Sequence, residues 1–504
     1  MIITDDTPPS PTKVQRELAE AARTTNPTQE PGPPPYNAAA AYPSYQRQQP
    51  GYPVASSSGG APQPGPSRDD FDRISRRRAA KRFVKAFIWA IAIYALFWAF
   101  TGSLIGLGRR SRDTLGWPIP SDGVIHRCLS RQDPWHVNTA SPMVSFKLPL
   151  SSDALYLFSR GSLATGNVMF QQDESLAAND TMVVDVIVSH RTSETAGLVS
   201  ICQLERKSGE RGIGFFTPYK WHSTVLAIVD FTVVVRFPVS ATQDPLRIKR
   251  LETNLPHFGH NMQNFEGGIE FETLSLSSSS AHMNVVASSA QKAVIKTTNG
   301  HIVGNFTAHK DLTLITTNGV ISTFVKLHNA KARTPTKLTM LTTNRRVIVI
   351  PQLLRTALDL IHHRSPLASF VDLISDAKNG TGGSFDVNAK TTNDPLSLQF
   401  PISPSYAHLD IDAATTNSPA SVSVNTRYEG AFHLHTSRSS GMVMHYDDDA
   451  EDPEGLGRVR YVDVKQRSSG DMEGTMSWGR KEKVDKLGDV DIRTTHAQVM
   501  LTVL

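Results

Sequence analysis

The chain has 504 residues, of which 39% are hydrophobic and 20% are charged, so most of it can contribute to folded domains. Its formal net charge of +5 would favour an acidic partner if it were evenly spread, but seven basic residues crowd between positions 73 and 85. Such a cluster directly before an apolar stretch is typical of a membrane anchor and argues against a nucleic-acid groove.

Residues 1–82 are predicted to be a disordered, Pro-rich cytosolic tail. Fourteen of the 31 prolines lie in the first 70 residues, and this segment contains no Phe, Trp or Cys. Such a composition cannot bury enough apolar surface to offset the entropy lost on ordering.

Two short motifs lie in this tail. Pro33-Pro34-Pro35-Tyr36 resembles the Pro-Pro-x-Tyr ligand of WW domains, and this resemblance implies recruitment of a WW-containing ubiquitin ligase of the HECT class. A chance match within a Pro-rich linker is the alternative. Ser10-Pro11 resembles a shorter motif, the site of a proline-directed kinase.

The stretch from Ala86 to Gly108 contains 23 residues without a charge and is predicted to be a transmembrane helix. A helix of about 20 apolar residues crosses a bilayer core of roughly 30 Å. A buried helix of a soluble domain would need a polar face, which this stretch lacks. The positive-inside rule places the basic N-terminal flank in the cytosol and residues 109–504 in the lumen or outside the cell. The sequence therefore predicts a type II signal-anchor protein of the secretory pathway or plasma membrane.

The predicted lumenal side also carries the features of that compartment. Asn179, Asn305 and Asn379 each begin an Asn-x-Ser/Thr sequon and are candidates for glycosylation. The only two cysteines, Cys128 and Cys202, could form a disulfide in an oxidising lumen or remain buried as free thiols. Pairing requires Cα atoms within about 7 Å, which the sequence alone does not give.

After a polar juxtamembrane linker at 109–140, residues 141–270 are predicted to form a β-sheet module. Val144–Leu150 alternates between apolar and polar residues, and Thr181–His190 and Val225–Phe237 are rich in β-branched residues. Short strands in succession favour an antiparallel, sandwich-like arrangement.

Residues 271–504 repeat themselves around a small polar triplet. Thr-Thr-Asn occurs at 297–299, 316–318, 342–344, 391–393 and 415–417, and the triplets at 278–280 and 494–496 fit the same frame. Apolar residues lie four and two positions before each triplet and, in most copies, three and five positions after it. Each unit is therefore predicted to be a strand, a polar corner and a strand, repeated every 20–25 residues or so as in a β-solenoid. Stacked Thr and Asn side chains could form ladders, and a helical insertion is predicted at 352–378.

This repeat resembles that of a family of candidate adhesins with β-solenoid folds. The whole arrangement, a Pro-rich tail, an anchor and a β-rich lumenal part, also resembles fungal single-pass membrane proteins of unassigned function. The resemblance covers about half of the chain. It implies a stacked β fold and surface interactions, and it carries no catalytic residues to transfer.

Several candidate chemical sites do not meet the requirements of their chemistry. Asp447-Asp448-Asp449 matches the Asp-x-Asp string of Golgi glycosyltransferases, but no alternating strand–helix pattern of an α/β domain accompanies it. Asp447, Asp449 and Glu451 lack the spacing of a calcium-binding loop. The pairs His433/His435 and His257/His260 have no third metal ligand within sequence reach.

The sequence thus identifies no catalytic, cofactor-binding or metal-binding residues. We expect a non-enzymatic lumenal or extracellular β-repeat domain that interacts with a partner or a glycan. The alternative is a membrane-tethered carbohydrate-active enzyme. The outward positions of the repeats are mainly Ser, Thr and Lys, which disfavours that alternative, whereas a cluster of carboxylates on one face would support it.

Overall fold

The computed structural model describes residues 118–129, 143–177, 180–190, 199–218, 229–330, 334–344, 347–348, 370–445, 451–479 and 487–503. Four predicted features lie outside these ranges: the tail with its Pro33–Tyr36 motif, the 86–108 anchor, the Asn179 sequon and Asp447–Asp449. The described residues form 27 β-strands and two single-turn 3-10 helices at Pro120–Asp122 and Glu174–Leu176. They contain no helix long and apolar enough to cross a membrane.

The first thirteen strands are β1 (Val124–Leu129), β2 (Met143–Pro149), β3 (Ala154–Arg160), β4 (Ala164–Asp173), β5 (Thr181–His190), β6 (Ser200–Glu205), β7 (Glu210–Phe216), β8 (Val229–Pro238), β9 (Leu246–Asn254), β10 (Phe258–Asn264), β11 (Ile269–Ser277), β12 (Met283–Lys296) and β13 (Ile302–Ile315). The remaining strands are β14 (Ile321–Asn329), β15 (Thr336–Leu341), β16 (Val347–Ile348), β17 (Phe370–Ser375), β18 (Ser384–Lys390), β19 (Leu396–Phe400), β20 (His408–Ala414), β21 (Ala420–Val424), β22 (Gly430–Thr436), β23 (Gly441–His445), β24 (Arg460–Ser468), β25 (Asp471–Trp478), β26 (Gly488–Thr494) and β27 (Val499–Val503).

Most of these strands belong to two parallel ladders. The A ladder runs in the order β7, β3, β9, β11, β12, β13, β15, β18, β20, β26 and β22. The B ladder runs in the order β8, β4, β10, β12, β13, β14, β16 with β17, β19, β21, β27 and β23. β12 and β13 have 14 residues each, and their first halves belong to the B ladder and their second halves to the A ladder. One coil is thus an A strand, a corner and a B strand.

The two ladders share one hydrophobic core, as the repeat pattern predicts. The apolar positions before each triplet are at most 2% exposed: Leu274, Leu276, Ala293, Ile295, Leu312, Leu314, Leu338, Met340, Val387, Ala389, Ile411, Ala413, Val490 and Ile492. Burying one Val, Leu or Ile side chain stabilises a fold by about 1.5–3 kcal/mol. Because alternate strand residues point to opposite faces, the intervening positions face outward.

The order of the coils departs from the order of the sequence at both ends. At the C-terminal end, β26 and β27 lie between β20/β21 and β22/β23, so the last described segment is inserted inside the stack. At the N-terminal end, the later coil β7/β8 lies outside the earlier coil β3/β4. Antiparallel strands extend the ladders beyond these coils: β6 and β1 beside β7, β5 and β2 beside β8, and β25 and β24 beside β22.

Three predictions are corrected. Among its described residues, the antiparallel, sandwich-like module predicted at 141–270 has antiparallel pairs only among β2 and β5–β8. The region predicted as a juxtamembrane linker at 109–140 contains a further antiparallel strand, β1, which pairs with β6. β3, β4, β9 and β10 pair in parallel, and the ladders continue across residue 270 into β11 and β12. The helical insertion predicted at 352–378 is wrong over Phe370–Ser375, which forms β17 because Val371 and Leu373 fill buried positions of the B ladder. Residues 352–369 lie outside the described ranges.

Candidate functional site

A row of exposed asparagine side chains follows the corner of successive coils. Each amide donates a hydrogen bond to the side-chain oxygen of the asparagine one coil before it: Asn318 to Asn299 (2.7 Å), Asn344 to Asn318 (2.6 Å), Asn393 to Asn344 (2.9 Å) and Asn417 to Asn393 (2.7 Å). We call these five residues the asparagine row. An amide side chain has two N–H groups and an oxygen with two lone pairs. The row therefore leaves donors and acceptors available on its outer side.

Buried threonines fix this row from behind. The first residue of each triplet is almost fully buried. At most corners its hydroxyl donates to a backbone carbonyl of the preceding coil, as Thr316 does to Gly300 (3.0 Å) and Thr342 to Gly319 (3.1 Å), but the Thr391 hydroxyl is an exception. The Thr316 hydroxyl also accepts a hydrogen bond from the Gly319 amide at 3.0 Å. Where these buried hydroxyls are hydrogen bonded, they restrain the corner backbone behind the row.

At two corners, glycine follows the triplet, and the neighbouring coil fills the space that a side chain would need. A Cβ atom built on Gly319 would overlap the carbonyl oxygen of Gly300, and one on Gly300 would overlap the carbonyl oxygen of Ala281. Beside these glycines, the His282 and His301 rings stack with centroids 4.7 Å apart. His301 donates its backbone N–H to Nδ1 of His282 at 3.0 Å. That Nδ1 therefore acts as an acceptor, with the ring proton on Nε2.

Five aspartates occupy outward positions of the A ladder near its C-terminal end, and we call them the acidic face. They are Asp386, Asp410, Asp412, Asp489 and Asp491. The strand register aligns Asp386 with Asp410, Asp410 with Asp489, and Asp412 with Asp491. The sequence-based description of the outward positions as mainly Ser, Thr and Lys therefore does not hold for β18, β20 and β26. The sequence alone does not reveal this face, because residues 410 and 489, which pair in the ladder, lie 79 positions apart in the chain.

Basic side chains border the acidic face. Lys390 Nζ lies 3.0 Å from Asp412 Oδ2, and the Arg493 guanidinium also contacts Asp412. Burial raises the pKa of Asp412, but the charges of Arg493 and Lys390 outweigh burial and hold that pKa below its usual value. His408 Nε2 lies 3.1 Å from Asp410 Oδ2. The face thus contains paired charges.

The two cysteines are bonded to each other. Cys128 in β1 and Cys202 in β6 lie directly opposite in the antiparallel pair and form a disulfide that spans 74 residues. Cys202 is fully buried against Tyr156, Phe158 and Phe216, which form a second small hydrophobic cluster with Leu204. The disulfide therefore links β1 covalently to β6.

The described sequons differ in their surroundings. Asn305 lies half-buried within β13, where it pairs with Phe324 of β14. Asn379 is exposed in a turn after β17, and its side-chain oxygen accepts a hydrogen bond from the Thr381 amide at 3.3 Å. Asn379 therefore has the more open position for a bulky glycan.

The two histidine pairs singled out in the sequence differ in their surroundings. His260 is fully buried; its Nε2 lies 2.8 Å from the Thr253 hydroxyl and its Nδ1 lies 3.1 Å from the Phe258 carbonyl, whereas His257 is exposed. Burial lowers the pKa of His260 to about 4. His433 and His435 lie on the outer face of β22, and Glu451 is exposed at the start of a described segment.

Comparison with known proteins identifies no family for the chain. No family model matches the sequence, and none of the curated proteins matches it significantly. A solved structure of a candidate cell adhesion protein from Clostridium sporogenes aligns with 72% of this chain and 100% of its own, with 9% sequence identity and a TM-score of 0.16. At that TM-score and identity, no residue role or activity transfers from the bacterial protein to this chain.

Proposed function

We propose that residues 143–503 include a non-enzymatic β-solenoid binding domain that engages a glycan or protein partner at its outer surface. The observation that carries this proposal is the asparagine row, five exposed amides held in line by side-chain and backbone hydrogen bonds. Neighbouring strands lie about 4.8 Å apart, so the row offers evenly spaced donors and acceptors wherever successive coils stack. Sugar hydroxyl groups can pair with both, which favours an extended glycan as the ligand.

The proposed setting follows from the sequence. The 86–108 helix would anchor the domain in a secretory-pathway or plasma membrane, with the domain on the lumenal or extracellular side. The Cys128–Cys202 disulfide supports an oxidising compartment for this side of the chain. On the cytosolic side, the Pro33–Tyr36 motif would recruit a WW-domain ubiquitin ligase.

A glycan array probed with the purified full-length chain tests the binding function. We expect selective retention of an extended glycan, and we expect the double substitution Asn318→Ala and Asn344→Ala to reduce it at least about tenfold. The matched control is Asn284→Ala, an exposed asparagine on β12 outside the row. Equal binding by the double variant and the control would refute the row as the binding surface. Retention of a protein partner and of no glycan would assign the domain to the other ligand class.

The acidic face favours the second candidate, a membrane-tethered carbohydrate-active enzyme. Glycoside hydrolysis uses two carboxyl groups, one of which must stay protonated as the general acid. Asp412 does not meet that requirement because Lys390 and Arg493 lower its pKa. Release of reducing sugar from the glycan that the chain binds, abolished by Asp410→Asn or Asp489→Asn, would establish the enzyme; an intact glycan after long incubation would eliminate it.

The anchor and the tail have their own tests. Protease protection of terminally tagged chain in microsomes should leave the C-terminal tag protected and the N-terminal tag accessible, and the opposite pattern would overturn the orientation. Tyr36→Ala should slow ubiquitination and turnover of the full-length chain, because the tyrosine is the second anchor of the WW ligand. An unchanged half-life would remove the ligase from the proposal.

A further inference from the structure

Two histidines and an aspartate meet at the second corner of three successive coils, where each B strand leads on to the next A strand. His309 lies in β13, His328 near the end of β14, and Asp376 directly after β17. One ligand atom of each lies within 4.8 Å of the others. Among the described residues, this is the one group of three potential metal ligands with so short a spacing. The His309 and His328 ring centroids are 4.9 Å apart, and His328 Nδ1 lies 2.8 Å from Asp376 Oδ1.

We propose that His309, His328 and Asp376 bind a divalent first-row transition-metal ion of the Zn²⁺ class. Two imidazoles and a carboxylate form a set of nitrogen and oxygen ligands typical of zinc sites with three protein ligands and a water molecule. Calcium and magnesium select oxygen ligands instead, so they do not suit this pair of rings. Metal–ligand bonds of about 2.0–2.1 Å place tetrahedral ligand atoms about 3.3 Å apart, which small side-chain rotations reach from the observed spacing.

A bulge in the A ladder contributes to this placement. Ala290 and Lys292 of β12 pair with Ala308 and Asp311 of β13, so Gln291 alone lies opposite both His309 and Lys310. Such bulges redirect a side chain at the point where one residue faces two. The Ser289 hydroxyl of the preceding coil lies 3.5 Å from His309 Nε2.

The backbone behind the three residues is tied together by buried polar groups. The Thr336 hydroxyl lies 2.7 Å from the His328 carbonyl oxygen and 3.2 Å from that of His309, and it can donate to either. Asn329 is buried and adjacent to His328, and its backbone carbonyl oxygen accepts a hydrogen bond from the backbone N–H of Asp376 (3.0 Å). Metal ligands fixed by outer hydrogen bonds bind with the geometry already formed, which raises affinity.

An ion at this position would clamp three coils to one another. It would also fix the turn that starts at Asp376, because the Asp376 carboxylate would be held by the ion as well as by His328. The side chains of His309 and His328 are half-buried and that of Asp376 is exposed, so an ion can enter from the solvent. The clamp does not depend on the asparagine row, which lies at the other corner, so the two proposals stand separately.

Calorimetric titration of the full-length chain with ZnCl2 tests the site. The chain is prepared without a polyhistidine tag and stripped with a chelator, and the same titration is run on His309→Ala, His328→Ala and Asp376→Asn. We expect one Zn²⁺ per chain and at least about tenfold weaker binding in each variant, because even loss of an outer partner costs 10–100-fold. His408→Ala is the matched control, since His408 lies 3.1 Å from an aspartate as His328 does, outside the cluster.

Thermal melting separates metal loss from misfolding. Because Asp376 is exposed, Asp376→Asn should melt at the same temperature as the metal-free wild type, and Zn²⁺ should not raise that temperature. Zn²⁺ should raise the melting temperature of the wild type and of His408→Ala. Stoichiometric binding that survives all three cluster substitutions, or the absence of binding by the wild type, would overturn the proposal.

Discussion

Asn344 donates its side-chain amide to Asn318 across 2.6 Å, although 26 residues separate them along the chain. The next bond of the row, from Asn393 to Asn344, spans 49 residues. Coils of unequal length therefore keep the same corner register. The triplet, its buried threonine and the side-chain amide bond recur at the corners of Asn318, Asn344 and Asn393.

The central position of the row should matter more than its end. Asn318→Ala removes two side-chain hydrogen bonds, to Asn299 and from Asn344, and each contributes about 0.5–1.5 kcal/mol net. We expect the free energy of unfolding to fall by about 1–3 kcal/mol in urea denaturation. Asn417→Ala, which removes one bond of the row, is the control and should cost about half as much. Equal losses in the two variants would contradict the prediction that both hydrogen bonds of Asn318 contribute to stability.

Gly319→Ala should destabilise the corner strongly. Its new methyl group would overlap the Gly300 carbonyl oxygen, and relieving the overlap would displace backbone held by Thr316. Overpacking of this kind typically costs about 1–3 kcal/mol. Asp394→Ala is the control, because Asp394 follows the Thr391–Asn393 triplet and its corner already accommodates a Cβ. If Gly319→Ala had the same denaturation midpoint as the wild type, the corner would accommodate the methyl group without loss of stability, and the prediction would be wrong.

The sequence predicts the local unit well and the order of units poorly. The inward positions of the repeats and the asparagine contacts follow from alternation and spacing, which are properties of neighbouring residues. The insertion of β26 between β20 and β22 does not, since strands of equal pattern pair equally well in several orders. The acidic face and the cluster of His309, His328 and Asp376 depend on that long-range pairing. The one sequence signal for the two histidines is their spacing: His309 and His328 lie 19 residues apart, as do the triplets at 297–299 and 316–318.

The disulfide should contribute substantially to stability. Closing a loop of 74 residues lowers the entropy of the unfolded chain, which corresponds to about 4 kcal/mol in the chain-entropy model. We expect dithiothreitol to lower the denaturation midpoint of the wild type. The double variant Cys128→Ser and Cys202→Ser should start lower and show no response to the reductant. A wild-type midpoint that is insensitive to full reduction would contradict this prediction.

The two described sequons should differ in use. In an Asn179→Gln background, we expect an endoglycosidase mobility shift that Asn379→Gln abolishes and Asn305→Gln leaves unchanged, because Asn379 is exposed in a turn and Asn305 lies within a strand. Electrophoresis before and after glycosidase treatment provides the measurement. Loss of the shift in Asn305→Gln alone would reverse the assignment, and no shift in any chain, including the wild type, would contradict the lumenal orientation.

His260 should make stability depend on pH. Burial lowers its folded-state pKa from 6.5 to about 4, so between these values the unfolded chain binds the extra proton. The free energy of unfolding is then fully retained above pH 6.5 and falls as the pH drops towards 4, by an amount on the order of 3 kcal/mol. Urea midpoints at pH 7, 6, 5 and 4 measure the slope. His260→Gln keeps a side chain that can hydrogen bond and should flatten the slope, even if its stability at pH 7 is lower. The exposed neighbour His257→Gln should retain the wild-type slope, and the same slope in His260→Gln would assign the acid sensitivity to other groups.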